Sequence, residues 1–219
     1  SNGGADPPRL AHCNGGAVLT SGLQNRGVSA VMQRYARHWQ RLGMPVVVQL
    51  ADVEPKYLGR TAARLQDAIG VNGFEVLLPP DADAALVTSL IRTCVGQSEL
   101  PVWAKLALTG ANDLARVAVD AGAAGLVIGQ PPTGAAMRPM DGGRSAGISG
   151  AVYGPLAFAP MMEKLIQIAQ LRIGTVLIAS GGIHTANQVR QALAAGASAV
   201  QIDSAIWIEP ALPQQLYSE

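Results

Sequence analysis

Charged residues make up only 14% of this 219-residue chain and aromatic residues 4%, while apolar residues reach 49%. Soluble domains carry about 25% charged residues, so much of the chain must bury itself against its own elements or a partner, and disorder is excluded for most of it. Neither sign of charge dominates, with 16 lysines and arginines against 15 acids. That balance lacks the basic footprint of a nucleic-acid binder and offers no polybasic patch to a membrane. Cysteine is confined to Cys13 and Cys94, without a CxxC or a Cys/His cluster. A disulfide framework and a structural zinc site are therefore not expected, and a reducing compartment, the cytoplasm, fits best. Apolar runs such as 45–51 and 117–128 are short or broken by Asp120 and glycines, below the roughly 20 residues of a membrane span. The opening residues Ser1 to Pro8 have neither the basic nor the apolar part of a signal peptide.

What the chain does contain is alternation. From residue 28 onward, short apolar or β-branched runs alternate with helical patterns, the sequence form of consecutive βα units on a parallel sheet. Six strands are expected, at 45–50, 73–78, 101–107, 125–128, 175–179 and 199–202. Their nearly continuous apolar character suits strands covered on both faces. Helical spacing is clear in Leu58, Ala62, Leu65 and Ile69, and again in Leu114, Val117, Ala118 and Ala121. Gly70, Gly122 and Gly196 stand just past such patterns, where a left-handed residue ends a helix. Two units resemble each other: Ala121-Gly122-Ala123 leads to Leu126 and Ile128 as Ala195-Gly196-Ala197 leads to Val200 and Ile202. Such repetition suits a (β/α) barrel of the TIM type forming a single domain over 1–219, with six strand–helix units visible. The glycine- and proline-rich stretch from Gly129 to Gly154 is expected to be a long irregular loop, a lid at the C-terminal face where barrel active sites lie.

Two late turns carry the clearest chemical signal. Ile178-Ala179-Ser180-Gly181-Gly182 ends a strand in two glycines, with Thr185 placed to cap the next helix. Glycines there let backbone N–H groups approach a phosphate. Some 18 residues later Val200-Gln201-Ile202 runs into Asp203-Ser204, a second turn at the same face. Lys105 lies inside the apolar strand Pro101 to Ala107, and a buried ammonium needs a partner. A flavin ring, a ligand anion, a Schiff base or a neighbouring carboxylate such as Glu75 would each supply one. His12, His38 and His184 are scattered, with no metal-ligand spacing. There is no GxSxG elbow between a strand and a helix, no Walker loop, no HExxH and no GxGxxG after a strand. Asp81 and Asp83 follow a strand but are better placed to charge the first turn of the helix from Ala84. Tyr153 is the other candidate acid or base.

The chain as a whole resembles the dihydroorotate dehydrogenases. Asp6-Pro7-Pro8-Arg9 and Gly15 to Gly27 are similar to the family's stretch that enters the barrel and passes under the substrate, here placing Ser21, Gly22 and Leu23 at the substrate. Pro101 to Leu106 resembles the strand bearing a flavin-binding lysine, here Lys105. Ser149-Gly150 through Gly154-Pro155 resembles the family's glycine-rich turn, and Ser180-Gly181-Gly182 with Asp203-Ser204 its two FMN phosphate loops. The resemblance implies an FMN-binding barrel acting on the CH–CH bond of a small molecule, with Lys105, Gly150, Gly154, Ser180, Gly181, Gly182, Asp203 and Ser204 at the cofactor.

Departures from the family are equally specific. Leu77-Leu78-Pro79-Pro80-Asp81-Ala82 stands where the family has its base and two amides, and Leu19 and Gly129 stand near two further amide positions. Asp203 replaces a usual glycine of the second phosphate turn. Two βα units that precede the Pro-Arg segment in the family have no counterpart, so the barrel is expected to be incomplete. Three functions remain open: an FMN-dependent oxidoreductase with altered substrate or lost activity; a non-catalytic flavin- or phosphate-binding or assembly module; and a phosphate-ligand barrel with Lys105 as a Schiff-base lysine. The low charge fraction further predicts a homo-oligomer.

Overall fold

A computed structural model describes residues 2–218. The chain opens with an antiparallel pair, β1 (Leu10–Cys13) and β2 (Gly16–Leu19), followed by α1 (Val28–Trp39). Alternation then sets in: β3 (Val46–Leu50), α2 (Pro55–Leu65), β4 (Val71–Leu77), α3 (Ala84–Gly96), β5 (Val102–Leu106), α4 (Ala111–Asp120) and β6 (Gly125–Ile128). A hairpin interrupts it, β7 (Thr133–Pro139) and β8 (Ser145–Tyr153), before α5 (Phe158–Gln170), β9 (Val176–Ser180), α6 (Ala186–Ala194), β10 (Ala199–Gln201) and α7 (Leu212–Ser218). The six expected strands all form, each within two residues of its expected ends.

Those six make one parallel sheet in the order β10-β9-β6-β5-β4-β3, curled into a half-barrel. Pleating sorts the side chains. In β5, Val102, Ala104 and Leu106 are fully buried against the outer helices, and the alternate Trp103 and Lys105 point to the concave interior. The main core lies between sheet and helices, where Leu58, Leu65, Phe74, Leu90, Ile91, Met161 and Leu165 are buried. Gly70, Gly122 and Gly196 all adopt positive φ as expected. The two similar units close identically: Gly122 and Ala123 donate to the carbonyls of Val119 and Ala118, and Gly196 and Ala197 to those of Leu193 and Ala192.

The stretch from Gly129 to Gly154 is not an irregular loop. It forms β7 and β8, which join β1 and β2 in a second, antiparallel sheet of order β1-β2-β8-β7. Burial does alternate at the start of β7, but the inward positions are Gly134 and Ala136, too small to give a period-two hydrophobic signal. A small core of Ala11, Val18 and Ile148 holds this sheet.

Candidate functional site

A narrow cleft, open to solvent, lies where the C-terminal ends of β5, β6, β9 and β10 meet the end of β8. Its shape depends on backbone approaches that only glycine permits. Gly129, at φ 114°, ends β6 against β9: a Cβ there would sit 1.8 Å from the Ser180 carbonyl oxygen. Gly182, at φ 69°, lets the turn after β9 lie on the start of α5, where a Cβ would come 2.2 Å from the Phe158 nitrogen. Gly181 has φ 122° and a nearly open Cβ direction, so the turn presents bare backbone. Thr185 caps α6 by accepting from the Gln188 N–H, as its position in the sequence implies.

Lys105 forms the floor, and its partners lie across the concave face. The ammonium donates to Gln201 Oε1 at 2.8 Å and stands 3.4 Å from Glu75 Oε1. Gln201 Nε2 donates in turn to Glu75 Oε2, and Gln49 Nε2 donates to Glu75 Oε1 at 2.6 Å. Four strands, β3, β4, β5 and β10, thus contribute to one network around the buried Glu75, with Lys105 and Gln201 half-buried and Gln49 exposed, of which the sequence reading identified only Lys105 and Glu75. A buried ion pair with its remaining lone pairs filled avoids the large penalty of an unpaired charge. Gln130, just past β6, is also buried and donates to the carbonyls of Leu78 and Lys105, both at 2.7 Å. It ties off the ends of β4 and β5.

The remaining groups fall into place around this floor. Ser180, Gly181, Gly182, Asp203 and Ser204 share the cleft with Lys105, and Gly154 lines its β8 side. Tyr153 lies beside them, its ring 5.2 Å from that of Trp207. Burial, and then the Asp203 carboxylate, push the Tyr153 hydroxyl above its usual pKa. Asp203 itself is exposed at the mouth, yet the protein around its carboxyl raises its pKa and Lys105 pulls it partly back. Gly150 is not part of the cleft wall; it pairs with Gly134 and lets β8 lie close to Leu19 and Thr20 of the neighbouring strand. Ser21, Gly22 and Leu23 also lie away from the wall, tied to the N-terminal segment by bonds from Ala5 N to Ser21 O and from Asn2 to Gly22 O.

Other titratable candidates have structural work. Asp83 caps α3 by accepting from the Leu86 N–H at 2.8 Å. Burial lowers the pKa of His184, whose Nε2 has no partner among the described residues. No three His, Cys, Asp or Glu side chains gather to hold a metal ion, and no helix is long and apolar enough to cross a membrane, among the described residues.

The donor set suits an anionic, planar ligand. One ammonium and a glycine turn face one cleft, the combination that takes a phosphate at one end and a polar ring edge at the other. A flavin mononucleotide has both parts, and Asp203 is the one group of opposing sign.

Comparisons with known proteins place the chain among known sequences and folds. The family profile for dihydroorotate dehydrogenase matches residues 1–219. The catalytic subunit of dihydroorotate dehydrogenase B (NAD(+)) from Geobacter sp. (strain M21) is 28% identical over 233 residues, covering 99% of this chain and 75% of the relative. Its counterpart from Geotalea uraniireducens (strain Rf4) is 30% identical, covering 97% of this chain and 74% of the relative. Among solved structures, DHODH from Eimeria tenella in complex with ferulenol matches with a TM-score of 0.81 at 16% identity, covering 100% of this chain and 70% of that one. At that identity the likeness bears on the fold, and it places the half-barrel within a TIM-type barrel.

Proposed function

Because the chain belongs to the dihydroorotate dehydrogenase family, we propose that it is an FMN-dependent oxidoreductase acting on a CH–CH bond of a small molecule other than dihydroorotate. The observation that carries this reading is the Lys105 ammonium held by Gln201 and Glu75 in the same cleft as the Gly181-Gly182 turn. Bound FMN supplies reversible two-electron transfer. Gly181, Gly182 and Ser204 would hold its phosphate end, and Lys105 would face the electron-rich edge of its ring. The covering hairpin β7–β8, with Tyr153 and Gly154 at its cleft end, would exclude water from the reacting face.

The proposed change of substrate rests on the end of β4. Leu78-Pro79-Pro80-Asp81 offers no side-chain amide, its one carboxylate, Asp81, is exposed and outside the cleft lining, and the Gln130 amide there is already spent on two main-chain carbonyls. A site without donors for a carboxylate discriminates against it by orders of magnitude. The same observation favours a second reading, a non-catalytic flavin- or phosphate-binding module. Free Cys13 and Cys94 accord with a reducing, cytoplasmic setting, and we further propose a homo-oligomer.

Freshly purified protein should show a visible flavin band, or bind added FMN with quenching of its fluorescence. Lys105→Ala should weaken that binding about tenfold or more. Absence of any flavin binding overturns the reading; binding without turnover of any reductant–acceptor pair selects the non-catalytic module.

A further inference from the structure

Asp203 opposes the charge of the ligand that the turn beside it fits. Its neighbours Gly181, Gly182 and Ser204 line the cleft with it. Charged and titratable groups reach this region from three sides. Lys105 comes from β5, Tyr153 from β8, and His184 follows β9 next to the lining residue Ile183. Lys105 is the one cation among the lining residues, and Glu75 at 3.4 Å already balances it. Tyr153 stays protonated, because burial and Asp203 both raise its pKa, and His184 stays neutral near pH 7, because burial lowers its own. A phosphate monoester carries a charge of about −1.5 to −2 at pH 7. Entering beside Asp203, it would set two anions together with no uncompensated cation, an arrangement that favours taking up a proton.

We propose that Asp203 makes FMN binding proton-coupled: the ligand-free carboxylate takes one proton from solvent as the phosphate arrives, and the resulting carboxylic acid donates a hydrogen bond to a phosphate oxygen. One O–H bond forms on the carboxyl, one bond to hydrogen breaks in the hydronium ion or buffer acid that gives up the proton, and no electrons are exchanged. The inference rests on the flavin reading above and deepens it, making Asp203 the residue that sets how the site discriminates phosphorylated from unphosphorylated flavin. Burial already favours the acid form of this carboxyl, and the partial opposition from Lys105 keeps it within reach of ionisation. The sign follows directly. A complex that binds one more proton than its parts weakens as pH rises, about tenfold per pH unit.

The test is fluorescence titration of the full chain with FMN and with riboflavin from pH 6.5 to 8.5, above the phosphate's own pKa of about 6. The wild-type Kd for FMN should rise with pH across that range, by up to tenfold per unit, while riboflavin, lacking the phosphate, stays flat. In Asp203→Asn, FMN should bind with no such slope and more tightly at pH 8.5. Calorimetry of FMN binding to wild type in buffers of different ionisation enthalpy should show uptake of about one proton at pH 7.5. If Asp203→Asn fails to melt cooperatively, Asp203→Ser takes its place. A flat wild-type FMN curve, zero proton uptake, or a slope retained in the variant overturns the coupling alone. Failure of both flavins to bind either protein overturns the flavin reading and the coupling with it.

Discussion

At the residue scale, Gln201 is the position whose part only the folded chain discloses. In sequence it is one polar residue in a short strand, with nothing to separate it from a solvent-facing glutamine. Folding carries it across the concave face to Glu75, 126 positions away, where it donates to the carboxylate and accepts from Lys105 with the same amide. Both jobs require an amide. Gln201→Leu would leave a carboxylate oxygen and an ammonium proton unpaired, and such losses cost about 1–3 kcal/mol each when buried. The expected outcome is a variant destabilised by roughly 2–4 kcal/mol in urea unfolding, with FMN affinity reduced about tenfold because Lys105 is no longer held. Gln201→Glu should fare worse in stability, since it sets a second carboxylate against Glu75. A Gln201→Leu variant with unchanged urea midpoint and unchanged FMN affinity would show the network to be incidental. Gln201 both holds Lys105 and lines the cleft itself.

At the element scale, legibility followed hydrophobic contrast. The parallel strands were readable because burial on both faces gives runs such as Gly125-Leu126-Val127-Ile128, and the half-buried β3 keeps its Val46-Val47-Val48, bounded by helices with clear spacing and glycine ends. The hairpin of β7 and β8 was not, because its inward positions are Gly and Ala and its turn is Asp141-Gly142-Gly143, all of which read as loop. Lys105, Glu75 and the two late turns could be placed from sequence, since a charge in an apolar strand and glycines at strand ends are local signals. The interior network and the Gln130 tie could not, since they depend on curvature. Glycines test this division directly. Gly96, at the end of α3, has open space where a Cβ would go, so Gly96→Ala should stabilise by about 0.5–1 kcal/mol. Gly182→Ala meets a positive φ and the Phe158 backbone at 2.2 Å, and should destabilise by at least about 2 kcal/mol. Thermal unfolding of the pair should shift in opposite directions; a neutral Gly182→Ala would show that the turn need not lie against α5.

At the scale of the whole molecule, the open sheet sets the surface. The chain exposes 12126 Å², whereas a closed monomer of 22.6 kDa follows area scaling to about 9,500 Å². The excess, roughly 2,600 Å², is of the size that stable protein interfaces remove. It is concentrated by the topology. β3 and β10 end the strand order, and among the described residues no strand covers the outer edge of either. Exposed apolar side chains flank both: Met44, Val53, Tyr57 and Ile69 around β3, Trp207 and Ile208 after β10. Unpaired strand edges with apolar margins associate unless charge or proline blunts them, and neither β3 nor β10 itself holds a charged residue or a proline. Light scattering of purified protein should therefore give a multiple of 22.6 kDa. Val47→Lys, which places a charge on the half-buried face of β3, should shift the population toward the single-chain mass without loss of cooperative unfolding. A wild-type mass of one chain at micromolar concentration would mean that the open edges are tolerated in water, and the association predicted from them would be wrong.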